Sequence, residues 1–149
     1  MLRALIATSI LCAAACPALA ADAPGVVRIS PEEAKGAVFK RPDAVKSDKG
    51  QSPTTNVTML RSADKKAYAG VYEAGASRDE IESYGVDEFM YFLSGSVTLT
   101  GADGVITKIA PGDAVTIAKG WKGVWETPGY TKYYVIYRSD AAPAPAGGN

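Results

Sequence analysis

Glu88, with the phenols and the amine that could gather around it, is the place in this sequence where chemistry could reside. A carboxylate lodged among aromatic rings loses hydration, which raises its pKa towards the range of a useful general base. Lys132, Tyr72 and Tyr84 are the candidates for the acid, or for electrostatic support, beside it. Other chemistries lack their residues. The 149 residues include no histidine, and the 2 cysteines, Cys12 and Cys16, both lie in the first 20 residues. No phosphate-cradling glycine loop, nucleophile–base pair or cofactor fingerprint is present. Further carboxylates stand nearby at Glu82 and Asp87. Neighbours on a strand point to opposite faces, however, so Asp87 and Glu88 cannot both look inwards.

The elements that would position these groups are strands. Phe89 to Leu93 is aromatic and aliphatic, Ser94-Gly95 breaks it, and Val97 and Leu99 alternate with polar neighbours as a half-buried strand does. Asp103-Gly104 supplies a hairpin turn, because both residues tolerate positive φ. Val105 to Ile109, Ala114 to Ile117 and a strand after Lys119-Gly120 continue the pattern as an antiparallel meander. Pro111-Gly112-Asp113 turns between them, with the Asp113 carboxylate expected to accept backbone N–H groups. Upstream, Val26 to Ile29, Asn56 to Arg61 and Tyr68 to Glu73 read as strands, and Thr131 to Arg138 closes the set. Ser30-Pro31-Glu32-Glu33 is a capping box that predicts a single helical turn. Lys40 to Thr55 reads as a long loop. The count is about nine or ten short strands without a substantial helix or a repeat, which predicts an all-β barrel.

Glu88, Gly95, Gly104, Pro111-Gly112-Asp113 and Gly120 resemble, in type and spacing, the two signature motifs of the cupin superfamily. More narrowly, DEFMYFLSG, PGDAVTIAKGWKGVW and TKYYVIY resemble the branch that holds the ureidoglycine aminohydrolase-like and ethanolamine-utilisation-like cupins. The resemblance spans about half the chain. It implies a small double-sheet β-barrel of jelly-roll type with a pocket between the sheets, and a homodimer. It also implies a metal site made of two His and one Glu from the first motif and one His from the second. Here Glu88 keeps the carboxylate position, Tyr84 and Glu82 stand four and six places before it, and Gly123 falls where the last imidazole would be. The expectation is therefore no metal and no cofactor, because a lone carboxylate with phenols is a poor substitute for imidazoles.

With Glu88 facing inwards as its family counterpart does, the two-residue period of a strand puts Met90 and Phe92 on the same side, opposite Gly123 and Trp125. Lys132 and Tyr134 share a face of the closing strand, while Tyr72 and Tyr84 come from the opposing sheet. Tyr72, Tyr84, Met90, Phe92, Trp125 and Tyr134 would line a pocket for a small organic molecule. The plainer alternative is that the aromatic residues are core, and that Glu88 pairs with Lys132 or a Tyr hydroxyl.

Three readings follow. One is a metal-free cupin that binds a small organic molecule. Another is a metal-independent enzyme with Glu88 as general base and Lys132 or a phenol in support. The third, a ureidoglycine aminohydrolase-like hydrolase, ranks below both because its metal ligands are missing.

Residues 1–20 read as a signal peptide, with a positive start at Arg3, an apolar run and the small residues Ala18-Leu19-Ala20 before the cleavage point. Ala13-Ala14-Ala15-Cys16 only loosely resembles a lipidation box, so no membrane anchor is expected after cleavage. Residues 21–25 form a flexible leader, 26–139 a single cupin domain and 140–149 a disordered tail. The protein is thus expected in the periplasm or outside the cell. Acidic and basic residues number 16 each, so no basic field exists to hold nucleic acid.

Overall fold

The computed structural model describes residues 25–139 apart from 49 and 51. The signal peptide, Cys16, nearly all of the leader and the tail lie outside the described residues. Within them, eight strands are ordered along the chain as β1 (Val45–Ser47), β2 (Thr54–Arg61), β3 (Ala67–Ala74), β4 (Ser77–Ile81), β5 (Asp87–Gly101), β6 (Ile106–Ile109), β7 (Ala114–Ile117) and β8 (Gly123–Tyr137). All pairings are antiparallel. No helix among the described residues is long and apolar enough to cross a membrane.

Two strands of 15 residues, β5 and β8, run side by side through the whole molecule and belong to both of its sheets. The first half of β5 and the second half of β8 sit in a sheet with β3, β2 and β1 on one side and β7 on the other. The other halves form a smaller sheet with β4 and β6. The inner faces enclose Met90, Phe92, Val97, Leu99, Ile109, Ile117, Trp125 and Tyr130 as one buried cluster. The result is the small double-sheet barrel expected.

The bend is made of glycines. Gly95 has a φ of 75°, and a Cβ there would collide with the carbonyl oxygen of Gly129 on β8 and stand 2.7 Å from the Cα of Tyr130. The β5–β8 register shifts on either side of this point, between Phe92 and Ser94 and again between Ser96 and Thr98. Ser94-Gly95 and Pro128-Gly129 therefore bend strands instead of ending them, which merges four of the expected strands into β5 and β8. The meander expectation also needs correction. β6 pairs with the second half of β5, whereas β7 pairs with its first half, so the chain changes sheet at Pro111-Gly112-Asp113. Asp113 serves that turn as expected, accepting the Ala110 N–H at 2.8 Å.

The N-terminal part differs more. Residues 26–29 form no strand. The capping box closes, with the Ser30 N–H donating to Glu33 Oε2 at 2.7 Å and the Glu33 N–H donating to Ser30 Oγ at 3.3 Å. The helical segment it starts continues to Lys40, well past one turn. Its apolar residues Ala34, Val38 and Phe39 cover Val57 and Val71 on the outer face of the larger sheet, and this burial holds a segment too short to be helical alone. The loop expected at 40–55 contains β1, which extends the sheet by pairing with Thr54–Asn56.

Gly95→Ala should lower stability by about 2–4 kcal/mol, because the methyl group meets backbone at a left-handed position. The midpoint of chemical unfolding reads this, and an unchanged midpoint would show that the bend tolerates a side chain.

Candidate functional site

Strand alternation carries Glu88, Met90 and Phe92 to the inner face of β5 and leaves Asp87, Phe89 and Tyr91 outside. On β8 the same period turns Tyr130, Lys132 and Tyr134 inwards. Lys132 lies opposite Phe92 in register, and its stem runs along β5 past Met90 to Glu88. Its ammonium donates to Glu88 Oε1 at 2.7 Å and stands 3.0 Å from the Met90 sulfur. Both side chains are buried, at 6% and 4% exposure. The other carboxylate oxygen of Glu88 accepts a short hydrogen bond from the Tyr84 hydroxyl. Tyr84 is itself held by backbone bonds to the Gly120-Trp121 turn, at 2.8 Å from its N–H to Trp121 and 2.7 Å from the Gly120 N–H to its carbonyl.

Three rings surround the ammonium. Lys132 Nζ is 5.4 Å from the ring centre of Trp125 and 5.6 Å from those of Tyr72 and Tyr130, a cation–π arrangement that replaces part of the lost hydration. Tyr130 joins the group together, with its ring 5.5 Å from Phe92, 5.7 Å from Trp125 and 6.1 Å from Tyr72.

Above this floor opens a cavity of about 500 Å³. Tyr72, Tyr84, Glu88, Trp125, Lys132 and Tyr134 line it, with Tyr72 standing beside Lys132 in the same sheet and not in an opposing one, because β3 pairs directly with β8. Met90 and Phe92 do not. They are fully buried in the core beneath, because the Lys132 stem and the Tyr130 ring lie between them and the opening. The sequence reading missed Tyr130, Asn56 and Asp79. Tyr130 was within reach of the same period that selected Lys132 and Tyr134. Asn56 becomes visible only through the sheet, where its side-chain oxygen accepts the Tyr134 hydroxyl at 2.9 Å. Glu82, the remaining acidic candidate, is exposed.

Burial sets the electrostatics. It pulls the Lys132 ammonium below its ordinary pKa, against the opposing charge and hydrogen bond of Glu88. It pushes the Tyr84 phenol far up, and the Glu88 charge adds to the effect. Tyr130 and Tyr72 move up for the same first reason. Phenols so placed stay protonated and act as hydrogen-bond donors, not bases.

The donor set suits a transition metal poorly. Both oxygens of Glu88 are engaged, one of them by a cation already. At Gly123 a Cβ would meet the Thr100 carbonyl oxygen and come within 2.7 Å of the Trp121 indole, so that ring leaves no space for a side chain there. Among the described residues no group of three His, Cys, Asp or Glu side chains is placed to hold a metal ion.

Residues 61–134 match the model of the EutQ-like cupin domain. The chain is a cupin of the EutQ-like branch. A protein of unknown function from Pseudomonas syringae pv. tomato is similar with a TM-score of 0.58 at 17% identity, over 62% of this cupin and 43% of that protein. This cupin thus spans less than half of that protein's length. A protein of unknown function from Rhizobium leguminosarum bv. viciae gives 0.53 at 19% identity, over 77% and 99% of the two chains. The Clostridium difficile EutQ protein gives 0.51 at 18% identity, over 76% and 82%. At such identities these likenesses concern the fold. No curated protein matches.

Lys132→Met should cost about 3–5 kcal/mol near neutral pH, because it strands a buried carboxylate. Glu88→Gln added to it removes the stranded charge and should recover most of the loss. Denaturation curves of the single and double variants read both. A variant as stable as the parent would show that the pair is solvated.

Proposed function

We propose that this cupin is an exported, metal-independent protein that holds a small organic molecule between its sheets. The observation that carries the reading is the Lys132 ammonium lodged against Glu88 at the cavity floor, 2.7 Å away. It puts a side-chain cation beside the carboxylate that the family resemblance assigns to a metal. Above it, a cavity of about 500 Å³ with aromatic walls and polar edges has the size and character of a small-molecule site. The leader-like residues 1–20 support export.

Binding is favoured over catalysis by the state of Glu88. A general base needs a free oxygen, and here an ammonium and a phenol hold both. An enzyme reading with Glu88 as base requires one of these protons to move first, and the ureidoglycine aminohydrolase-like reading further requires a metal that these donors suit poorly.

A homodimer is part of the proposal. The helical segment covers only part of the larger sheet's outer face. Beside it Phe89, Tyr91, Val135 and Tyr137 remain 40–47% exposed on neighbouring strands, an apolar patch that a second copy could cover.

Native mass spectrometry with elemental analysis, on protein purified without chelators or dialysis, tests the whole reading. The expected species is a dimer whose chains begin at Ala21, free of stoichiometric transition metal and carrying a small organic mass. A stoichiometric metal lost in Glu88→Gln would overturn the metal-independent reading, and a monomer would overturn the dimer.

A further inference from the structure

We infer that the cavity recognises an organic cation, whose ammonium group pairs with Asp79 while the aromatic walls take its carbon frame. This deepens the small-molecule reading and rests on it. Asp79 lies at the centre of β4, where Arg78 and Glu80 point outwards and pair with each other at 2.8 Å. Asp79 is on the inward set with Ser77 and Ile81, and all three line the cavity. In register it stands directly opposite Trp125, so the carboxylate and the indole lie side by side on one wall.

The charges in the cavity do not balance. Glu88 and Lys132 neutralise each other at the floor. Asp79 accepts a hydrogen bond from Ser77 Oγ at 2.7 Å, but none of the ion pairs among the described residues includes it. Its negative charge reaches the Tyr72 and Tyr130 phenols and helps to raise both.

Three ligand classes can be compared on this basis. An anion would face Asp79 directly, and the one ammonium in the wall is already surrounded by Glu88, Met90 and three rings. A neutral ligand would strip water from Asp79 and return no charge. An organic cation supplies the missing partner, and its methylene or aromatic groups can lie on Trp125 and Tyr72 as amines do on aromatic walls.

Calorimetry at neutral pH with three molecules of one shape decides the matter: 2-phenylethylammonium, 2-phenylethanol and phenylacetate. The ammonium should bind about tenfold tighter than the alcohol, the scale of a partly screened ion pair, and phenylacetate should bind most weakly. Asp79→Asn should remove the preference for the ammonium over the alcohol, because the charge that distinguishes the two ligands is gone. In the parent protein, raising salt should reduce the preference without changing alcohol binding, a readout that needs no variant. Equal binding of ammonium and alcohol would overturn the cation inference and leave the small-molecule reading standing. A preference that survives in Asp79→Asn would remove Asp79 from the role. Binding of none of the three would overturn this inference and count against the small-molecule reading as well.

Discussion

A buried ion pair between the two longest strands is the interaction on which the rest of this structure depends. Glu88 and Lys132 each give up most of their hydration, and a carboxylate and an ammonium survive such burial only with close partners. Each has more than one. The carboxylate has the ammonium and a phenol, and the ammonium has the carboxylate, a thioether and three ring faces. Every buried side-chain nitrogen or oxygen among the described residues likewise has a hydrogen-bond partner. A polar network buried in this way sets the relative placement of the strands that carry it, because a displacement of either would leave charge unpaired.

The backbone makes the pair possible by bending. If β5 and β8 were straight, their inner faces would meet a single sheet and no enclosed floor would exist. The close approach at Gly95 and Gly129 lets both strands leave one sheet and enter the other. Trp125 then faces back towards Lys132 from the smaller sheet, while Tyr72, Lys132 and Tyr134 belong to the larger one. The cavity is therefore a consequence of the bend, and its aromatic walls come from both halves of β8, with Tyr72 from β3 and Tyr84 from the segment before β5.

What relates this chain to other cupins is architecture. The turn glycines, the Pro111-Gly112-Asp113 corner and Glu88 stand where the resemblance to that family implies. At the positions where imidazoles would complete a metal site, a phenol now donates to Glu88 and an indole closes over a glycine. Positive charge at the floor comes from Lys132 on the closing strand. A fold of this kind accommodates such an exchange because strand alternation dictates which residues face inwards, not what they are.

The sequence by itself determined the all-β class, the turns, and which residues share a face on the strands it marks. All of these follow from local chemistry: the two-residue period, the positive φ that Gly and Asp accept, and the proline corner. With Glu88 turned inwards as the cupin resemblance implies, the same period groups it with Met90 and Phe92 and sets Lys132 beside Tyr134 on one face. Tertiary structure decided the rest. Whether Ser94-Gly95 ends a strand or bends it depends on Gly129, more than thirty residues later. Residues 31–40 continue as helix because Val57 and Val71 wait beneath Ala34, Val38 and Phe39. Met90 and Phe92 went to the core instead of the cavity because a lysine stem and a tyrosine ring lie over them. Asp79 acquired its place from its pairing with Trp125 across the smaller sheet. A strand's period says only which side a residue faces, whereas what covers that side is settled by the partners the fold brings to it.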